Sequence, residues 1–154
     1  MERGQADIIV ADLARETGIA DLALDAEGFG IVAFDSCIIA IGYNKTAGSL
    51  DLMTCLDRVT PSAARAVEAM RANFRWSGPG CETLAVDPAS GAFVLQRRYV
   101  GPELLDGGLP GAVRELLAQA GRWTARLTAI PDRAVPGDAG EDRHAMPPGG
   151  GLRA

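Results

Sequence analysis

Apolar residues recur at helical spacing from about Ala6 to Thr17, where Ala6, Ile9, Val10, Leu13 and Ala14 alternate with Asp7, Asp12, Arg15 and Glu16. Gly18 then reads as the residue that ends this helix in a left-handed conformation, with Ile19 packing back after it. A short strand is expected at Leu22 to Leu24, followed by a turn at Asp25-Ala26-Glu27-Gly28. Two runs rich in β-branched and aromatic residues follow, Phe29 to Phe34 and Cys37 to Tyr43, with only Asp35-Ser36 between them. That pattern predicts a β-hairpin. From about Leu50 to Leu56 the residues Leu50, Leu52 and Thr54 fall on one side, which predicts a further strand, a short helix being the alternative.

Thr60-Pro61 reads as a helix start, since threonine accepts from orphan first-turn amides and proline favours the first helical position. The helix is expected to run to about Asn73 and to carry a stripe of mostly small residues, Ala63, Ala66, Val67 and Met70. Thr83 to Val86 and Phe93 to Tyr99 predict a second hairpin, joined through Asp87-Pro88-Ala89-Ser90-Gly91, where proline sets φ and glycine supplies the left-handed position. A last helix opens at Leu109-Pro110, and its Val113, Leu116, Leu117, Ala120, Trp123 and Leu127 form a continuous apolar face. The order is helix, sheet, helix, sheet, helix, an α+β arrangement. Residues 131–154 contain four prolines and five glycines without periodicity, so the reading is a folded domain over 1–130 and a flexible tail over 131–154.

Composition adds limits. The chain has 154 residues, 47% of them hydrophobic, enough for one domain with its own core. Fifteen basic against twenty acidic side chains leave a net charge of −5, which disfavours nucleic acid and anionic membrane surfaces as partners. Cys37, Cys55 and Cys81 are odd in number and far apart, which suits a reducing compartment better than a disulfide framework or a metal motif. No apolar run approaches the roughly 18 residues needed to span a bilayer, and the start of the chain lacks the pattern of a signal peptide, so a cytoplasmic location is expected.

Residues that could carry catalysis each have a simpler explanation. His144, the only histidine, falls in the tail away from any partner that could orient it. Cys81 follows Gly78-Pro79-Gly80 with no group in view to stabilise a thiolate. Asp25, Asp35 and Asp87 sit at strand ends or turns, where carboxylates cap backbone amides. Gly28-Phe29-Gly30 lacks the third glycine and the helix of a dinucleotide fingerprint. The Arg97-Arg98 pair suits a solvated edge strand protected by charge. Trp123 belongs to the apolar face of the last helix, whereas Trp76 could serve core or interface. No enzyme, cofactor or metal site is implied.

One surplus remains. In the first hairpin Phe29, Ile31 and Ala33 lie on one face of their strand and Val32 and Phe34 on the other, so both faces are apolar. Either helices cover both, or a partner covers the second. Four stretches then carry a resemblance: Leu22-Ala23-Leu24-Asp25-Ala26-Glu27-Gly28; Phe34-Asp35; Ala72-Asn73-Phe74-Arg75-Trp76-Ser77-Gly78; and Thr83-Leu84-Ala85-Val86-Asp87-Pro88-Ala89-Ser90-Gly91. In this order and spacing, over about Asp7 to Leu127, the chain resembles the type III secretion chaperones of the CesT (Tir chaperone) class. It departs at Pro79-Gly80-Cys81-Glu82, which is more polar and more kinked than the small-residue run usual there.

The resemblance implies three helices packed on a twisted antiparallel sheet, a cytoplasmic homodimer, no ATP hydrolysis, and a secreted effector as the partner. Its N-terminal segment would be held extended in apolar grooves and partly by strand addition. On this chain the implied client groove is Phe29, Ile31, Ala33, Ile39 and Ile41, and the implied dimer interface is Ala63, Ala66, Val67, Met70, Phe74 and Trp76. The alternative reading is a regulatory module of the same fold that sequesters a transcription regulator and so couples secretion to gene expression.

Overall fold

A computed structural model describes residues 1–34, 37–74, 82–104 and 108–131. Among these the chain forms helices α1 (Arg3–Thr17), α2 (Ala63–Asn73) and α3 (Gly108–Thr128) and strands β1 (Phe29–Phe34), β2 (Cys37–Asn44), β3 (Ser49–Cys55), β4 (Thr83–Val86) and β5 (Phe93–Val100). The strands make one antiparallel sheet in the order β1-β2-β3-β5-β4. The fold is α+β: three helices and a five-stranded antiparallel sheet. Asp35, Ser36, Trp76, Cys81, His144 and the tail from 132 onward lie outside the described residues.

The core lies between one sheet face and the helices. Alternation turns Val32, Ile39, Ile41, Leu50, Leu52, Leu84 and Leu95 to that side, where Ala6, Val10 and Leu13 of α1 and Leu116, Ala120, Trp123 and Leu127 of α3 meet them. Trp123 is thus a core residue, 7% exposed. Helix α1 ends as expected: Gly18 has φ 71°, and the Ile19 amide donates to the Ala14 carbonyl at 3.1 Å.

Three expectations are corrected. Leu22 to Leu24 is not a strand. The segment instead crosses the core side of β1, with Leu22 buried and the Leu24 and Asp25 carbonyls accepting from Arg3 of α1. Gly30 permits this crossing, since a Cβ there would stand 2.9 Å from the Ala23 carbonyl oxygen. Second, α2 begins after Ser62 rather than at Pro61: the Ser62 hydroxyl accepts from the Arg65 amide at 3.4 Å. Thr60 has another task, its carbonyl accepting from the Arg65 guanidinium at 2.6 Å. That guanidinium also donates to Leu127 and Ile130, fastening α2 to the end of α3. Third, β5 is not an edge strand, because it lies between β3 and β4.

Candidate functional site

The sheet face opposite the helices is open and largely apolar over β1, β2 and β3. A two-residue connection between β1 and β2 places Phe34 opposite Cys37, so directly opposed residues share a face: Ile31 with Ala40, Val32 with Ile39. Phe29, Ile31 and Ile38 are 59%, 71% and 60% exposed, Ala33 is exposed, and Val32 is buried. Across the sheet one row runs Ile31, Ala40, Met53, Gln96, Thr83, and the next runs Phe29, Gly42, Asp51, Arg98.

The same register overturns part of the expected groove. Ile39 and Ile41 are fully buried in the core, since they oppose Val32 and Gly30 rather than Ile31. Ile38, Ala40 and Met53 occupy the open face in their place. The signal for this was in the chain: once the connection is read as two residues, counting outward pairs 31 with 40 and leaves 39 and 41 on the other side. Gly42 has a role of its own, because a Cβ there would come within 3.3 Å of the Phe29 ring. The ring therefore lies against the sheet, forming with Ala40, Asp51, Met53 and Gln96 a shallow cavity of about 450 Å³.

Both free edges of the sheet carry side-chain caps. At β1 the Asp25 carboxylate accepts from the Phe29 amide at 2.8 Å, and the Asp25 amide donates to the Phe29 carbonyl at 2.7 Å. Gly28 turns the other way and accepts from Tyr43 of β2 at 2.8 Å. By alternation the peptide groups of Ile31 and Ala33 point outward like those of Phe29, and nothing among the described residues caps them. At β4 the Asn73 side chain pairs with both polar groups of Leu84.

One residue of the expected dimer stripe turns away from the others. Ala63, Val67, Met70 and Phe74 lie exposed along α2, Val67 at 46% and Met70 and Phe74 each at 71%. Ala66 instead packs partly against the protein's own core beside Ala69. Val86 at the nearby sheet edge is 48% exposed. A further groove of about 860 Å³ runs between the end of α3 and the neighbouring ends of β2 and β3, lined by Phe34, Cys37, Leu56, Leu117, Ala120 and Thr124 among others.

The arginine pair divides between the two faces. Arg98 makes a bidentate pair with Asp51 on the open face, at 2.8 and 3.0 Å. Arg97 lies under α3, 3.4 Å from Glu82 and 3.0 Å from Glu115, with its guanidinium 4.6 Å from the Tyr99 ring centre. Burial pushes the Glu82 carboxyl above the usual glutamate range. Asp87 is a turn cap, as expected: hydrogen bonding from the Ser90 hydroxyl and the Ala89 amide holds its carboxyl below the usual range. Burial, with Asp57 and Asp87 nearby, pushes the Cys55 thiol up, the opposite of what a nucleophile needs. Among the described residues no cluster of three or more histidine, cysteine or carboxylate side chains could hold a metal, and no helix is long and apolar enough to cross a membrane.

The geometry is that of an α+β layer whose second sheet face exposes Phe29, Ile31, Ile38 and Met53. The sequence profile of the Tir chaperone protein (CesT) family matches residues 9–124, and the chain belongs to that family of type III secretion chaperones. The fold is similar to that in the crystal structure of the ExsC–ExsE complex, with TM-score 0.71 and 19% identity over 81% of this chain and 95% of that one. It is also similar to that in the Yersinia pestis type III secretion chaperone SycH in complex with a stable fragment of YscM2, with TM-score 0.61 and 14% identity over 77% and 98%. For the HopA1–SchA chaperone–effector complex the values are 0.57 and 17% over 77% and 91%. No curated protein sequence matches the chain.

Proposed function

We propose that this chain is a cytoplasmic chaperone that binds the N-terminal segment of a cognate type III secretion effector in extended form and keeps it competent for export. It acts by binding alone. The observation that carries this reading is the exposed apolar row on β1 to β3, Phe29, Ile31, Ile38 and Met53, beside a β1 edge with outward peptide groups. An extended client can align its backbone with Ile31 and Ala33 while alternate side chains pack over that row, which is recognition by strand addition. The protein works as a homodimer through the α2 stripe of Ala63, Val67, Met70 and Phe74, which is exposed in one protomer.

The test uses neighbouring residues on opposite faces. Ile31→Asp places a carboxylate at an exposed position and should change folding stability by no more than about 0.5 kcal/mol. A client docked there would have to desolvate that charge, at a cost of a few kcal/mol and therefore at least a tenfold to hundredfold loss of affinity. Val32→Asp buries an unpaired carboxylate in the core and should unfold the chain. Thermal melts and co-purification of an effector co-expressed with each variant give the readout, and mass spectrometry identifies the captured protein. Unaltered capture by Ile31→Asp would remove this face from the site; capture of a transcription regulator instead of an effector would favour the regulatory reading.

A further inference from the structure

The two edges of this sheet differ in one respect that bears on where a strand can be added. On β4 the Asp87 amide donates inward to Ala92 of the β5 side, so by alternation the peptide of Leu84 faces outward. Its two polar groups are nevertheless both paired. The Asn73 side-chain amide donates to the Leu84 carbonyl at 2.8 Å, and the Asn73 side-chain oxygen accepts from the Leu84 amide at 3.0 Å. A carboxamide has the same donor and acceptor as a backbone peptide, so Asn73 takes the place that one residue of an added strand would occupy. It stands at the end of α2, where the helix packs against β4, and Leu84 is the middle of the edge. Blocking that one residue interrupts the ladder an incoming strand needs. At the other edge Asp25 caps Phe29, and among the described residues Ile31 and Ala33 are left to pair.

We propose that Asn73 is the specificity-determining residue that closes the β4 edge and so confines strand addition to β1. The proposal deepens the reading of a client strand at β1 and rests on it for the choice of edge, while the closure of β4 stands on its own geometry. Without the cap, β4 presents an unpaired edge that pairs with another copy of the same chain, the usual hazard of open sheet edges.

The test needs no client, so its outcome is independent of whether β1 binds one. In the wild-type protein, amide exchange followed by NMR should be slower at Leu84 than at Ile31 and Ala33 by roughly fivefold or more, the effect of one added hydrogen bond. Equal rates would overturn the cap. Sedimentation velocity across the micromolar range then compares Asn73→Ala with Asn73→Asp. The alanine variant should form species larger than wild type that grow with concentration, whereas aspartate, which leaves a charge on the edge, should keep the wild-type size. A residue that merely ties α2 to β4 would weaken both variants alike and enlarge neither. Wild-type size for Asn73→Ala, or growth of both variants, overturns the proposal; should the alanine variant not fold, the wild-type exchange rates decide.

Discussion

Glu82 stands just before β4 with its side chain 4% exposed, compensated first by a hydrogen bond from its own backbone and then by Arg97, which it shares with Glu115 at 3.0 Å. Removing a carboxylate from water costs more than the backbone hydrogen bond and a shared arginine at 3.4 Å return, so the carboxyl holds its proton more tightly in the folded chain than in the unfolded one. The sign of the pH effect follows. A carboxyl that holds its proton more tightly when folded contributes stability that is fully present below the ordinary glutamate pKa and is lost as pH rises through its own raised value. Glu82→Gln resembles the protonated state at every pH. Denaturant midpoints should therefore be equal to or above wild type at neutral pH and converge with wild type in mildly acid buffer; a large loss at neutral pH would show the ion pair to be net stabilising. This cluster was not legible beforehand. The charge of Arg97-Arg98 suits an edge strand, but strand order is decided by which hairpin docks where, and here β5 inserts between β3 and β4. The sequence does show that neighbours in a strand face opposite ways, and the structure gives Arg98 to Asp51 and Arg97 to the two glutamates.

At the scale of elements, periodicity was a good guide wherever one side of the segment meets the core. The three helices and both hairpins fall where the apolar spacing puts them, since burial of a face is what holds each in place. Leu22 to Leu24 misled because a three-residue apolar run has no measurable period, and its geometry is set by Arg3 and Gly30 from elsewhere. Ser62 outcompetes Thr60 as the cap because Arg65 draws the Thr60 carbonyl away. In α2 one member of the small-residue stripe, Ala66, turns inward, while Ala63, Val67 and Met70 face outward. The outward set offers a direct prediction. Met70→Glu adds a charge to a residue already 71% exposed in the protomer, so helix and fold should persist, with circular dichroism unchanged. A buried seam would be broken by it, because two copies of the charge would meet near a twofold axis without partners. Light scattering should show wild-type dimers and Met70→Glu monomers at the same concentration. A wild-type monomer, or a Met70→Glu dimer, would place the interface elsewhere or nowhere.

For the whole molecule, a dimer seam and a client face leave separate thermodynamic marks. The protomer carries two separate sets of exposed apolar residues, Val67, Met70 and Phe74 on α2 and Phe29, Ile31, Ile38 and Met53 on the open sheet face. Covering either set stabilises the folded chain by mass action, since whatever binds only the native state raises its stability by RT ln(1 + [L]/Kd), about 2.7 kcal/mol at one hundred times Kd. For the seam the ligand is the chain itself. The melting temperature of the wild-type protein should therefore rise with its own concentration, and that of Met70→Glu should not. For the sheet face the ligand is the client, so adding an effector segment should raise the melting temperature of wild type and of Met70→Glu by its own increment and leave Ile31→Asp nearly unmoved. The two dependences should be separable in one set of scanning calorimetry runs. A client increment that vanishes with Met70→Glu would mean that the binding surface is completed only across the dimer, with each protomer contributing one part of the path along which the extended chain is held.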